Sequence, residues 1–134
     1  MKFRQFLLAA ALAAAWIAPA CADEKMIEIY HIAPGKHVEF LKLIAQYDEA
    51  NRQAGLPARD LYVHSDGGAW DFLLIQDEDV APEKAKLRNE ALKKLGAPTG
   101  QKFWLAIRQT IAEHTDTVAN GPTTAAEWLK KLGD

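Results

Sequence analysis

Tyr62, His64 and Asp71 stand close together in the stretch LYVHSDGGAWDFLLIQ, residues 61–76. A carboxylate beside an imidazole orients the ring and stabilises its cation, which lets a histidine trade protons near neutral pH. A tyrosine hydroxyl adds a donor for a developing oxyanion, or a holder for a phenolic ligand. In this arrangement His64 would be the base, Asp71 its orienting acid and Tyr62 the neighbouring donor. The same residue types also suit a solvated hairpin edge or hydrogen bonds across a dimer. Their chemistry therefore depends on whether the fold gives them a cleft.

Two runs rich in β-branched and aromatic residues flank Asp66-Gly67-Gly68, the pattern of a hairpin with strands at 58–65 and 69–76. Side chains alternate along a strand. One set is Leu61, Val63, Trp70, Phe72 and Leu74; the other is Asp60, Tyr62, His64, Asp71, Leu73 and Ile75. The wholly apolar set should cover helices, because its burial needs no polar partners. The mixed set then faces away. A two-residue turn places Tyr62 opposite Asp71, and a four-residue turn places His64 there.

The first strand, 26–33, splits into Ile27, Ile29, His31 and Ala33 against Glu28, Tyr30 and Ile32. If the isoleucines pack on helices, Glu28 and Tyr30 join the open face. His114 and Asp116 share one parity in a threonine-rich segment that reads as a last strand. The candidate pocket is thus His64, Asp71 and Tyr62 for catalysis, with Tyr30, Glu28, Asp60 and His114 as ligand contacts. Trp70, Phe103 and Trp104 read as packing residues, His37 reads as solvated, and Arg59, after a loop, reads as a surface residue that could bind a carboxylate.

Metal chemistry finds little support. His31, His37, His64 and His114 never occur at the i, i+4 or His-x-His spacings of compact sites, and no metal ligand set is assigned. No glycine-rich phosphate loop and no Gly-x-Ser-x-Gly occur, which argues against nucleotide chemistry and serine hydrolysis. The net charge is −2 over 134 residues. With no long basic run, nucleic acid is not an expected partner.

The elements that must position these residues follow from hydrophobic period and stop signals. Residues 36–54 place Phe40, Leu41, Ile44 and Tyr47 at helical spacing, ended by Gly55 and Pro57. Helices are expected at 82–95 and 100–114, then a strand around 113–118. Thr124 with Glu127 forms a capping box for a terminal helix. Ahead of all this, residues 1–22 have a positive start (Lys2, Arg4), a short apolar run and Ala20-Cys21-Ala22 at the end. That is the pattern of a secretory signal cleaved before Asp23. Its alternative keeps Cys21 as a lipidated first residue. Cleavage removes the single cysteine, leaving residues 23–134 as one domain without disulfides or thiol chemistry. The expected location is the periplasm or outside the cell, with no stable membrane insertion.

A strand, a helix, a hairpin, a helical stretch and a strand form the split βαβ pattern of ferredoxin-like α+β folds. The opening IYHIAPGKHVEFL, a strand, Pro-Gly-Lys and a helix beginning with an acid and Phe-Leu, resembles the dimeric α/β-barrel superfamily, in particular its antibiotic-biosynthesis-monooxygenase-like branch. The resemblance covers residues 26–76; the longer helical region after the hairpin and the C-terminal helix depart from it. It implies an antiparallel sheet with helices on one face, a barrel formed by homodimerisation, and a cleft on the helix-free face. It also implies a small, partly apolar or aromatic ligand, met either by cofactor-independent acid–base or oxidative chemistry or by binding alone. A haem-binding module and a purely structural dimer are the alternatives; no haem residue of the superfamily matches here.

Overall fold

The computed structural model describes residues 23–133; the secretory-signal reading of residues 1–22 lies outside them. The chain runs β1 (Asp23–Ile32), α1 (His37–Gln53), β2 (Asp60–Val63), β3 (Phe72–Asp77), α2 (Pro82–Lys94), α3 (Gln101–Arg108), β4 (Ile111–Gly121) and α4 (Ala125–Leu132). The four strands form one antiparallel sheet in the order β2-β3-β1-β4. The later strand β3 sits between β2 and β1, which makes this the split βαβ arrangement of the ferredoxin-like fold.

Register decides which residues meet the helices. Tyr30 pairs with Phe72 and Glu28 with Leu74, while Leu61 pairs with Leu74 and Val63 with Phe72. Partners across a ladder share a face, so these residues all lie on one side. There Tyr30, Ile32, Phe72 and Leu74 pack with Phe40 and Ile44 of α1 and with Phe103 and Ile107 of α3. Phe40 is the hub, stacked on Phe72 at 5.3 Å between centroids and tilted against Tyr30 at 5.0 Å. The helix α2 packs on α1 through Ala50, Ala91, Leu92 and Ala97.

Two differences from the sequence reading have physical causes. The expected helix at 100–114 stops at Arg108, and Ile111–His114 belong to β4. The Thr110 hydroxyl, fully buried, donates to the Ile107 carbonyl at 2.6 Å and closes the last turn. Beyond it, pairing with β1 from Asp23↔Gly121 to Ile32↔Ile111 outweighs the helical pattern of the local sequence. The second difference is the face of β1, taken up with the site below. The terminal helix forms as its capping box predicts. Thr124 Oγ1 accepts from the Glu127 N–H, the Glu127 carboxylate accepts from the Thr124 N–H, and Gly133 ends it in the left-handed region. It buries none of its residues.

Leu74 is wholly buried in the central strand β3. Leu74→Ala should cost about 2–5 kcal/mol of unfolding free energy, read as a lower urea midpoint with an unchanged slope.

Candidate functional site

The hairpin parity is as read: Phe72 and Leu74 face the helices with Leu61 and Val63, and Asp60, Tyr62, Leu73 and Ile75 take the other side. The His64 N–H donates to the Asp71 carbonyl at 3.0 Å, which is the register of the four-residue turn. The side chains nevertheless do not pair. Asp71 Oδ2 accepts from the Ile32 N–H at 2.7 Å, beside the point where the β1–β4 register shifts. Its Oδ1 meets His37 Nε2 at 3.1 Å. The backbone N–H, reinforced by His37, holds the Asp71 carboxyl below the usual carboxylate range. Asp71 therefore orients His37, at the start of α1, and not His64. The His64 ring sits edge-on against Trp70 at 4.9 Å, and its Nε2 is covered by protein without a hydrogen-bond partner. Tyr62 is 54% exposed.

Glu28 and Tyr30 do not lie on the open face; they are beneath the helices. Both face sets of β1 are apolar enough to bury, and the pairing Tyr30↔Phe72 selects the one whose aromatic ring fills the space around Phe40. Ile27, Ile29 and His31 face outward in consequence. The alternation that turns Tyr30 inward also buries Glu28, which is 6% exposed. Glu28 Oε1 accepts from the Tyr30 hydroxyl and Oε2 from Gln76 Nε2, each at 2.9 Å. Burial raises the Glu28 carboxyl above its ordinary range, against the opposing pull of the Tyr30 hydrogen bond and the Arg59 charge. The Tyr30 phenol is pushed far up by burial and by Glu28 beside it. His114 stacks on Tyr30 at 5.9 Å and lies 3.4 Å from Asp116, on this same inner side. The structure thus separates the predicted residues: Glu28, Tyr30 and His114 cluster inside, while Tyr62 and Asp60 stay on the outer face.

Gln76 connects the buried acid to a groove of about 260 Å³ lined also by Asn51, Arg59, Ile75, Val80 and Arg88. Arg59 reads as a surface residue in the sequence, with a carboxylate partner as the alternative; its side chain is only 6% exposed, and Nε donates to the Asp48 carboxylate at 2.8 Å. Its guanidinium carbon lies 4.5 Å from the Tyr47 ring centroid, and that of Arg88 lies 4.7 Å from the same centroid. Among the described residues Arg88 has no ion-pair partner, and its Nε is buried without an acceptor. Asn51 Oδ1 is likewise buried without a donor. A buried polar atom left unpaired costs about 1–3 kcal/mol, and both of these are covered by protein. The sequence carries a signal for Asn51. Phe40, Ile44 and Tyr47 set the inner stripe of α1, and Asn51, four residues on, continues it with a polar side chain. Nothing comparable marks Arg88 or Gln76, whose roles depend on contacts between separate elements.

Among the described residues no cluster of three or more His, Cys, Asp or Glu could hold a metal ion. The groove has no histidine in its lining, so a haem with an axial imidazole does not fit it. No described helix is long and apolar enough to cross a membrane.

Two measurements probe this geometry. Because folding raises the Glu28 pKa, its contribution to stability is complete below about pH 4.5 and is lost as pH rises through the folded value. Glu28→Gln should therefore melt above the wild type at pH 8, with the difference closing toward pH 4; at this size roughly 4 °C corresponds to each kcal/mol. Asp71→Ala should cost about 1–3 kcal/mol, because the Ile32 N–H loses its acceptor. Asp71→Asn, which keeps an acceptor oxygen, should recover part of that loss in urea unfolding.

No family model matches the sequence, and no curated protein matches it. Among solved structures the chain is similar to an uncharacterized NIPSNAP domain protein from Burkholderia xenovorans, at 18% identity over 76% of this chain and 96% of that one, with a TM-score of 0.46. It is similar to a candidate antibiotic biosynthesis monooxygenase from Nitrosomonas europaea, at 15% identity over 75% and 99%, TM-score 0.47. A dimeric protein of unknown function and ferredoxin-like fold from Bacteroides fragilis matches at 13% identity over 73% and 95%, TM-score 0.40. Likeness at such identities concerns the fold and transfers neither a family nor a residue role.

Proposed function

We propose that the protein is an exported homodimer that binds a small, partly apolar molecule in the groove beside Glu28. The observation that carries the binding site is the chain of polar contacts from the buried Glu28–Tyr30 pair through Gln76 to the groove, which Asn51, Arg59 and Arg88 also line. Burial raises the Glu28 carboxyl, and Gln76 links it to the groove, which favours acid–base chemistry at the site. The open sheet face supports the dimer. Ile27, Ile29, Leu73 and Ile75 stand there half-buried and Tyr62 exposed, an apolar surface that a second copy would cover. Tyr62 and Asp60 would then line the interface between copies. Export rests on the pattern of residues 1–22.

The full chain should be expressed with export and the mature protein recovered for native mass spectrometry. The expected result is a subunit mass beginning at Asp23, a dimer, and a small molecule released on denaturation. Ile29→Glu should give monomers of unchanged secondary structure. A wild-type monomer at micromolar concentration removes the dimer. A dimer with an empty groove under all purification conditions removes the binding role.

A further inference from the structure

The terminal helix α4 carries an apolar stripe that its own protomer leaves uncovered. Trp128, Leu129 and Leu132 share one side at helical spacing, with Lys130 and Lys131 on its flanks. They are 40%, 49% and 67% exposed, and the helix buries none of its residues. A helix this short is marginal in water without a surface to lie on. Strand β4 runs from Ile111, opposite Ile32, to Gly121, opposite Asp23, so α4 starts at the end of the sheet where β1 begins. The groove opens at that same end, where Asp60 pairs with Ile75 and Lys25 with Asp77, but toward the far edge, β2. Three strand spacings, about 14 Å, separate the two edges. The groove's rim is acidic. Asp77 is paired with Lys25, whereas the Asp60 and Asp79 side chains have no hydrogen bond or ion pair among the described residues. Glu24 and Glu78 gather beside Asp77 and Asp79. Lys130 and Lys131 form no ion pair among the described residues either.

We infer that α4 of each copy lies over the mouth of the other copy's groove in the homodimer, its lysines facing Asp60 and Asp79 and its Trp128 stripe on Ile75, Leu56 and Pro57. This rests on the homodimer proposed above, and not on a ligand in the groove. Three observations select a second copy as the partner. Ile75 belongs both to the groove and to the outward apolar strip, so a copy seated on the strip reaches the groove's mouth. A two-fold axis along the strands, with the outward faces together, sets β4 of one copy opposite β2 of the other and keeps like ends together. Both α4 helices then meet acidic rims, and the free charges on the two sides are opposite in sign. Area points the same way. The outward face, four strands each roughly 20 Å long, offers on the order of 400 Å². A stable interface buries about 800 Å² per subunit, and the reciprocal α4 contacts supply the difference.

Two charge-reversed variants of the exported protein test this by their mixture. One carries Lys130→Glu and Lys131→Glu; the other carries Asp60→Lys and Asp79→Lys. Alone, each sets like charge against like at both contacts, and its dimer Kd in sedimentation should rise about tenfold or more. Mixed, the two meet opposite charge at both contacts. They should form a mixed dimer as tight as the wild type, identified by its mass in native mass spectrometry. A helix lying on its own groove would gain nothing from mixing. Trp128→Ser leaves every charge in place and alters a residue that the protomer does not bury. It should weaken the dimer about tenfold, and with the lysine variant it decides the matter if the basic-groove variant misfolds. A mixture no tighter than its components overturns the inference. So does a dimer indifferent to both the lysine reversals and Trp128→Ser, which leaves the dimer through the sheet face standing. A wild-type monomer removes that dimer and the α4 contact together.

Discussion

The packing of Tyr30, Phe72 and Phe40 is the constraint from which most of this structure follows. Tyr30 and Phe72 are ladder partners on the two central strands, and Phe40 of α1 lies against both rings. Fully burying an aromatic side chain stabilises by about 1.5–3 kcal/mol, and three in mutual contact fix the pairing of β1 with β3 and the seat of α1 together. A slip by one residue would exchange the faces of the strand, bringing Ile29 inward and expelling Tyr30. The position of Glu28 is a consequence. Two residues before Tyr30 on the same strand, it is carried under the helices whatever its charge. The Tyr30 hydroxyl and the Gln76 amide give it partners there, and burial moves its pKa upward because those partners do not replace water completely.

That sequence of causes shows what a reader of the residues alone can recover. The hairpin faces are legible because one set, Leu61, Val63, Phe72 and Leu74, is purely apolar while its alternate set contains Asp60, Tyr62 and His64. In β1 the test fails. Ile27 and Ile29 compete with Tyr30 and Ile32, both sets are buriable, and the choice is made by the shape of the space around Phe40, which the sequence does not carry. The start of β4 fails for a related reason. Ile111 to His114 continue a helical pattern locally, and only the long ladder with β1 makes them strand. The capping box at Thr124 and Glu127 is legible because its two hydrogen bonds join residues three apart. Local signals survive the passage from sequence to structure; choices made between distant segments do not.

The candidate site divides along the same line. Opposed positions in the hairpin make His64 and Asp71 look like a pair, and the main chain does join them. But a carboxylate pairs with the donors its position reaches, and for Asp71 those are the Ile32 N–H on one oxygen and His37 on the other. The acid is occupied in fastening the end of β1 to the hairpin and to the first turn of α1. His64 is left to pack on Trp70. Groups that carry chemistry in one fold hold main-chain geometry in another, and the donors available to each oxygen decide between the roles.

The Tyr47 ring carries a guanidinium at centroid distances of 4.5 and 4.7 Å, from Arg59 and Arg88 respectively, two arginines that line the groove. Two cations on one ring repel, so at least one needs a counter-charge to be held there. Arg59 has it in Asp48, in an ion pair whose arginine is almost wholly buried. Among the described residues Arg88 has none, and its compensation comes from the ring face. The asymmetry has a structural origin. Asp48 and Tyr47 are adjacent on α1, so Asp48 can serve the arginine that precedes β2 while Tyr47 shares its ring with α2. The acid partner is thus on the α1 side of the groove and the uncompensated cation is on the α2 side. The Glu28–Tyr30 pair is enclosed between the inner sheet face and its helices. The outward face of β1 and β3, with Ile27, Ile29, Leu73 and Ile75, is apolar. One alternation therefore puts the buried acid and the apolar strip on opposite sides of a single sheet.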